Sequence, residues 1–486
     1  MPRQLVRVED ADGDGLRAHV AAIGAELEVP GEFPAAVLAA AERAVGRRAP
    51  ERAHNADHTD IPFVTIDPAT SLDLDQAVHI ERRGAGYLVR YAIADVAAFV
   101  RPGDPIDVEA HRRGETLYGA GENIPLHPRA LSEDAASLLP GLPRPALLWT
   151  VVLDGDGSVS DARVERATVR SVAKLSYEVA QERIEDAAGE PDGTLALLKE
   201  VGSLRRAREA ARGGIALPTP EQEIVVDGPR WSLRFRRTLP VEEWNAQISL
   251  LVGMAAADIM LGGGVGLLRT LPPPDPAEIT RLRLTARALG VPWPDEMPHP
   301  AFIRGLDMSR PEEAAMAEAC TRLLRGAGYV AFSGAPPAES GHAGIAAPYA
   351  HVTAPLRRLA DRYALEVCVA LCAGDPVPEW VRAALDGLPQ TMRRSGSLAG
   401  RYQRTIVNLV EAAMLEPHVG EVFDGVVVQA DEDDPASGDV VIHDPAVEAR
   451  VTASGPLPVG SVARVRLTEA DRAARRVRFA LSTEGG

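Results

Sequence analysis

The sequence predicts an α+β chain in three parts: a short helical segment (residues 1–55), a mixed α/β body (56–416) and a small C-terminal OB-fold β-barrel (417–486). Three observations carry this reading. Beyond Gly420, apolar residues fall into short alternating runs at 422–428, 439–442, 462–467 and 477–481, parted by Gly, Pro and Asp turns, as in a small barrel. Between 61 and 415, stretches of helical and of strand period interleave, so helices and strands share one body. Before residue 55 only the helical period is present.

In order along the chain, Leu16, Val20, Ile23 and Leu27 repeat at helical spacing until Pro30-Gly31 stops them, and 33–45 is a second, alanine-rich helix with a packing role. Phe63 and Val64 belong to a strand that ends at Asp67, and Tyr87, Val89, Tyr91 and Ile93 alternate as another. A helix is expected at 106–117, then a strand at 146–153 that turns at Asp154-Gly155-Asp156-Gly157. Helices follow at 174–186 and 195–211, the latter stopped by Gly213-Gly214, then a hairpin at 224–228 and 231–235. The apolar stretch 241–261 reads as a long buried helix, and Pro272-Pro273-Pro274 as a rigid connector. Helices at 277–289 and 311–325, a strand at 329–332 and helices at 353–372 and 392–415 complete the body.

Composition bounds the rest. At 486 residues the chain has room for roughly two to four domains. A formal charge of −17 disfavours a nonspecific nucleic-acid coat but leaves room for a local basic channel. Lys174 and Lys199 are the only lysines; every other cation is arginine, which suits planar phosphate recognition. Cys320, Cys368 and Cys372 are too few and too odd for a disulfide scaffold, so they read as buried thiols in a reducing, cytoplasmic setting. Residues 1–7 have no apolar leader core, and 250–268 is broken by Asp258 and glycines, so no membrane span is expected. The chain is expected to act as a monomer.

Two stretches carry chemistry. In the first, Asp67 ends a strand and Asp73 and Asp75, two apart, share one face of the next extended segment. Carboxylates gathered without counter-charge repel, and a divalent cation with oxygen ligands, magnesium or manganese, removes the conflict. Capping of a solvated turn is the plainer alternative. In the second, Thr353 is placed to cap a helix, with Pro355 in its first turn and Arg357 and Arg358 close behind. Cations there oppose the helix dipole unless a phosphate binds or an acid such as Asp361 pairs with one of them. His351 is either a substrate contact or a structural histidine. Metal-bound carboxylates with an arginine–phosphate site are the minimum for phosphodiester hydrolysis.

Several stretches in order resemble the ribonuclease II / ribonuclease R family of bacterial exoribonucleases. They are Val64-Thr65-Ile66-Asp67 with Asp73-Leu74-Asp75, Ala92-Ile93-Ala94-Asp95-Val96 with Phe99-Val100, and Tyr118 before Asn123-Ile124-Pro125 and Leu131-Ser132. Val241-Glu242-Glu243 and 349–361 complete the set. The resemblance implies an RNB-type catalytic domain followed by an RNA-binding OB-fold barrel. It implies processive, magnesium-dependent hydrolysis of single-stranded RNA from the 3′ end, releasing nucleoside 5′-monophosphates. It further implies that Asp67, Asp73 and Asp75 hold metal, that Tyr118 stacks on the terminal base and that Arg357 grips the scissile phosphate. Glu243 then contacts the terminal sugar, Tyr177 lines the RNA channel and Arg358 is a second phosphate candidate.

The departures are specific. Gln76 stands where the family's acidic motif ends in a fourth aspartate; its amide oxygen is a neutral metal ligand, so a raised magnesium requirement or a manganese preference is expected. Ser249 and Gln403-Arg404 replace a common asparagine and a common Glu-Arg. About 55 helical residues are too few for the family's two N-terminal cold-shock-type barrels. From Gly420 on, seven arginines face twelve acids, so a weak grip on long RNA is expected. The competing reading is a non-catalytic RNA-binding protein that keeps the fold. A third, an Asp-x-Asp nucleotide-sugar transferase, leaves the arginine stretch and the barrel unexplained.

Overall fold

The computed structural model describes residues 8–9, 13–46, 55–120, 123–186, 193–217, 221–227, 230–431 and 433–482. Residues 1–7, read above for a leader, and the hairpin tip at Gly228 lie outside the described residues.

Two closed five-stranded barrels occur, one before and one after the main run of helices along the chain. The first comprises Ala56–Ile66, Gln76–Arg83, Gly86–Ala94, Pro143–Leu153 and Val159–Leu175. Neighbouring strands are antiparallel until the last closes on the first in parallel, with Ile66 opposite Leu175. Strand alternation sends Tyr91, Ile93, Trp149 and Val151 to one apolar core and Phe63, Ala92, Leu148 and Val169 to another. Gly86 lets the third strand start close against the fourth, since a Cβ there would lie 2.0 Å from the Leu153 carbonyl oxygen.

The sequence reading found no strand at 159–173 and therefore no barrel here. Arg163, Glu165, Arg166 and Arg170 break up the apolar alternation, and Val159–Leu175 is far longer than the usual strand. The expected helix at 174–186 begins only at Tyr177, because Lys174 and Leu175 finish this strand and Ser176 caps the helix, accepting from the Val179 N–H. The helix expected at 106–117 is Pro105–Arg113, capped by Asp104 and stopped at Gly114. Leu117–Tyr118 instead pairs with Asn123–Ile124 as a small hairpin.

Helix Pro240–Gly263 is the spine of the body. It is long and apolar enough to cross a membrane, but Val241, Ile248, Leu251, Val252 and Met260 are buried in the main core of this fold. Strands Val265–Thr270 and Gly328–Ser333 pair beside it and bracket an insertion of helices Pro276–Ala288, His299–Arg304 and Pro311–Cys320, with its own core of Leu282, Phe302 and Met316. Helix Leu388–Leu415 closes the body. The N-terminal helix Gly13–Glu26 shares a core with it, through Leu16 and Ile23 against Ile406, Leu409 and Ala413. Helix Ala35–Gly46 packs against the first barrel through Val37 and Ala41.

The second barrel, Val422–Ala430, Ser437–His443, Ala446–Thr452, Val462–Asp471 and Arg476–Leu481, is the expected C-terminal one. Its third strand was missed, although Val447, Ala449 and Val451 alternate inward. One reading about the cysteines fails: Cys320 and Cys368 are buried, but Cys372, in the last turn of helix Leu359–Ala373, is exposed.

Candidate active site

The acidic stretch is a turn pinned at several points. Asp67 follows the end of the first barrel strand, and its backbone N–H donates to the Leu175 carbonyl at 3.1 Å. The turn closes with the Ser71 N–H on the Pro68 carbonyl, and the Lys174 ammonium donates to the carbonyls of Ala69 (2.9 Å) and Ser71 (2.5 Å). Leu74 is buried, its N–H held by Ser137 Oγ at 3.0 Å, so Asp73 and Asp75 on either side turn away from it. Asp75 is only 3% exposed; Asp67 and Asp73 are half-buried.

The arginine stretch is not a helix start. The helix begins at Leu359, so Thr353 does not cap it and Pro355 lies before it. Residues 353–358 form a loop stapled by acids. Asp361 accepts from the Ala354 N–H (2.7 Å), Asp75 accepts from the Leu356 N–H (2.8 Å), and the Arg357 carbonyl accepts from the Thr116 N–H (2.9 Å). The Gln76 side-chain amide donates to the Thr353 carbonyl. This network joins three segments far apart in sequence and leaves Arg357 half-exposed with its Nε 3.6 Å from Asp75.

The electrostatics follow from this burial. Burial pushes Asp67 up to about 6, opposed by Arg357 and Lys174 and reinforced by Asp73. Burial likewise raises Asp73, and raises Asp75 well above the ordinary range, with Arg357 opposing in both. Asp67 Oδ2 is buried without a hydrogen-bond partner. A buried, unpartnered carboxylate oxygen beside two more strained acids fits a hard divalent cation. Among the described residues no three His, Cys, Asp or Glu side chains are grouped to hold a metal ion by themselves; magnesium needs only one or two carboxylates, with water and phosphate oxygens completing its shell. Asp67 and Asp73 would hold it, with Asp75 anchoring the arginine loop behind them.

Other candidates separate cleanly. Tyr118 is 44% exposed and lies beside Arg357, whose charge opposes the burial that raises its hydroxyl, so the two stand together at the mouth. Tyr177 also faces the acids: burial and then Asp67 push its hydroxyl up to about 12. Both tyrosines line a cavity of about 480 Å³ between the acidic turn, the hairpin Glu221–Asp227/Arg230–Arg236 and the closing helix.

Three assignments are not supported by the geometry. Arg358 grips Asp361 through two 3.0 Å hydrogen bonds, the plain alternative considered above, and is not presented for phosphate. His351 bonds Tyr329 through Nδ1 (2.6 Å) and is wedged edge-on between the Tyr329 and Tyr349 rings; burial and Arg358 hold it neutral. Glu243 pairs with Arg206 at 2.5 Å, whereas its neighbour Glu242 is the glutamate felt by Tyr177. The Gln76 amide NH2 is taken by the Thr353 carbonyl, which makes this side chain a tether to the arginine loop. Ser249 bonds the Tyr91 hydroxyl at 2.8 Å beneath Asp67. Sequence reasoning gave no role to Lys174, or to Asn245, whose amide donates to the Ile66 carbonyl beside Asp67 at 3.4 Å. The rarity of lysine was the one signal for the former.

Residues 55–372 match the RNB domain, and residues 421–482 match the RNase II-type exonuclease C-terminal S1 domain. The chain belongs to the RNB family. Ribonuclease R 1 of Lactococcus lactis is 26% identical to this RNB protein over 442 residues, covering 86% of the chain and 53% of the relative. The chain thus spans about half the length of the curated relatives it matches. RNase R of Mycoplasma genitalium, solved with ribose-methylated single-stranded RNA, superimposes with a TM-score of 0.85 at 19% identity, over 96% of this chain and 78% of that one. Yeast Ssd1, described as a pseudonuclease, has the same RNB fold with a TM-score of 0.67 at 19% identity, over 85% of this chain and 52% of that one.

Proposed function

We propose that this chain is a metal-dependent exoribonuclease that hydrolyses single-stranded RNA from the 3′ end and releases nucleoside 5′-monophosphates. The observation that carries this is the meeting of Asp67, Asp73 and Asp75 with Arg357 and Tyr118, with Asp67 Oδ2 buried and unpartnered. Magnesium, or manganese, bound there supplies an activated water and steadies the leaving oxygen. Arg357 offers its guanidinium to the scissile phosphate, Tyr118 presents a ring for the terminal base, and Tyr177 borders the path behind it. The Lys174 clamp and the Ser137 anchor hold the carboxylates in place before substrate arrives. The protein works as a monomer in the cytoplasm. The barrel grips RNA weakly, in keeping with its Arg450, Arg472, Arg475, Arg476 and Arg478 being ion-paired to acids.

Digestion of a 5′-labelled single-stranded RNA with magnesium and then manganese tests this. A ladder shortening from the 3′ end, with mononucleotide product and loss of both on Asp67→Asn, is expected; intact RNA in either metal refutes it. One observation favours a second reading. Asp75 and Gln76 are both committed to the arginine loop, so a non-catalytic RNA binder would show tight binding without trimming.

A further inference from the structure

Helix Pro240–Gly263 is apolar along most of its length, yet Asn245, Ser249 and Gly253, each one turn apart on a single stripe, bond to three different parts of the candidate site. The Asn245 amide donates at 3.4 Å to the carbonyl of Ile66, the last strand residue before Asp67. One turn on, Ser249 Oγ and the Tyr91 hydroxyl lie 2.8 Å apart. After another turn the Gly253 carbonyl accepts from the Ala350 N–H at 3.0 Å, just ahead of the arginine loop. At a rise of 1.5 Å per residue the stripe spans about 12 Å. One stiff rod thus sets how far the acidic turn lies from Arg357.

The middle bond joins this rod to the first barrel. Tyr91 lies mid-strand, opposite Val78 on one side and Trp149 on the other, so its backbone is fixed from both edges. Its side chain is buried, and only the hydroxyl meets a polar partner, on the helix. Burial, and then Asp67 and Asp75, raise that hydroxyl above the ordinary tyrosine range, so it keeps its proton. Two hydroxyls paired in a core add little net stability but fix a direction. Catalysis is more sensitive to direction than folding is, because a misplacement of about 1 Å can cost on the order of a hundredfold in rate. We infer that Tyr91 and Ser249 are a positioning pair for the reaction, whose bond fixes the first barrel against the helix and so holds Asp67 and Arg357 at the separation that phosphodiester hydrolysis requires. The inference rests on the exoribonuclease reading, and both residues act through Asp67 and the arginine loop.

The test uses the full chain with Tyr91→Phe, which keeps the ring in the core, with Ser249→Ala, and with both. On a short oligoribonucleotide in magnesium, each single change should lower kcat about tenfold with KM within about twofold, and the double variant should be no worse than either single. Ser249→Thr, which keeps a hydroxyl, should retain the parent rate. In chelator, deuterium exchange at the Ala350 and Leu356 amides should be about tenfold faster in Tyr91→Phe, with exchange in the C-terminal barrel unchanged. Unchanged kcat, or exchange that quickens equally throughout the chain, reduces the pair to a packing contact and overturns the inference. Losses in kcat that multiply in the double variant overturn the pairing. A parent chain that trims no RNA in magnesium or manganese overturns the exoribonuclease reading instead, while the exchange result still decides whether the pair sets the spacing.

Discussion

Gln76→Asp separates two roles of one side chain. In this structure the Gln76 amide donates to the carbonyl of Thr353, a residue only 4% exposed. Aspartate is one methylene shorter and has no donor, so the carbonyl loses its partner, at a cost of about 1–3 kcal/mol. The new carboxylate also adds negative charge directly after Asp75, in a stretch whose acids are already raised by burial, so like-charge repulsion adds to that cost when no cation is bound. Urea unfolding in chelator should therefore show the variant less stable by at least about 1–3 kcal/mol. With manganese the sign reverses, because the same charge attracts the ion. Titration followed by the paramagnetic signal of free manganese should give half-saturation at least tenfold lower than for the parent, about 1.4 kcal/mol or more. Unchanged stability in chelator would remove the tether, and an unchanged manganese midpoint would refute the reasoning that links Gln76 to a raised metal requirement.

Three further outcomes follow from the geometry. Lys174→Met should lower kcat at least tenfold with little change in KM, since the turn carrying Asp67 and Asp73 loses both carbonyl clamps; Lys174→Arg should restore part of it, as steady-state kinetics on a short oligonucleotide will show. Gly253→Ala should cost about 1–3 kcal/mol in urea unfolding and depress kcat, because the added Cβ would lie 2.1 Å from the Tyr349 ring and 2.7 Å from the Ala350 carbonyl, just ahead of the arginine loop. Glu411, buried between the closing helix and the barrel, accepts from Gln222 (2.8 Å) and the Glu448 N–H (3.1 Å), and burial pushes it up to about 7 from 4.5. Because the folded form holds this proton more tightly, its contribution is present below pH 4.5 and is lost as pH rises through about 7. Glu411→Gln should flatten that decline, worth up to about 3 kcal/mol, in unfolding measured from pH 5 to 8.

Ordered resemblance singled out the acids, Arg357 and Tyr118, and alternation beyond Gly420 made the C-terminal barrel legible, whereas the helix start expected around Arg357 begins only at Leu359. What failed depended on partners remote in sequence. Glu242 and Glu243 are adjacent in a helix turn, and only Arg236 and Arg206 on other elements show which faces where. Arg357 and Arg358 look alike until Asp361 takes the second. The first barrel was hidden because its last strand carries charge on its open side while burying Val164, Ala167 and Val169.

The closing helix Leu388–Leu415 belongs to three cores at once, its first turns joining the main core through Leu388 and Met392. Leu409, Val410 and Ala413 face the N-terminal helix, while Ala412 and Leu415 enter the barrel with Val427 and Phe479. The barrel is further held by the insertion, where Ala315 packs on Val426 and Val428, and by the ion pair from Glu26 to Arg475. Barrel, insertion and N-terminal helix should therefore melt as one cooperative unit rather than as beads on a string, as a single calorimetric transition of the intact chain would show. Cutting the chain at Gly420 would strip Ala412 and Leu415 of their cover, so a barrel-less fragment would report lost folding before it reported lost RNA affinity. The barrel's share in binding is better read from point changes on its outer face in the intact chain.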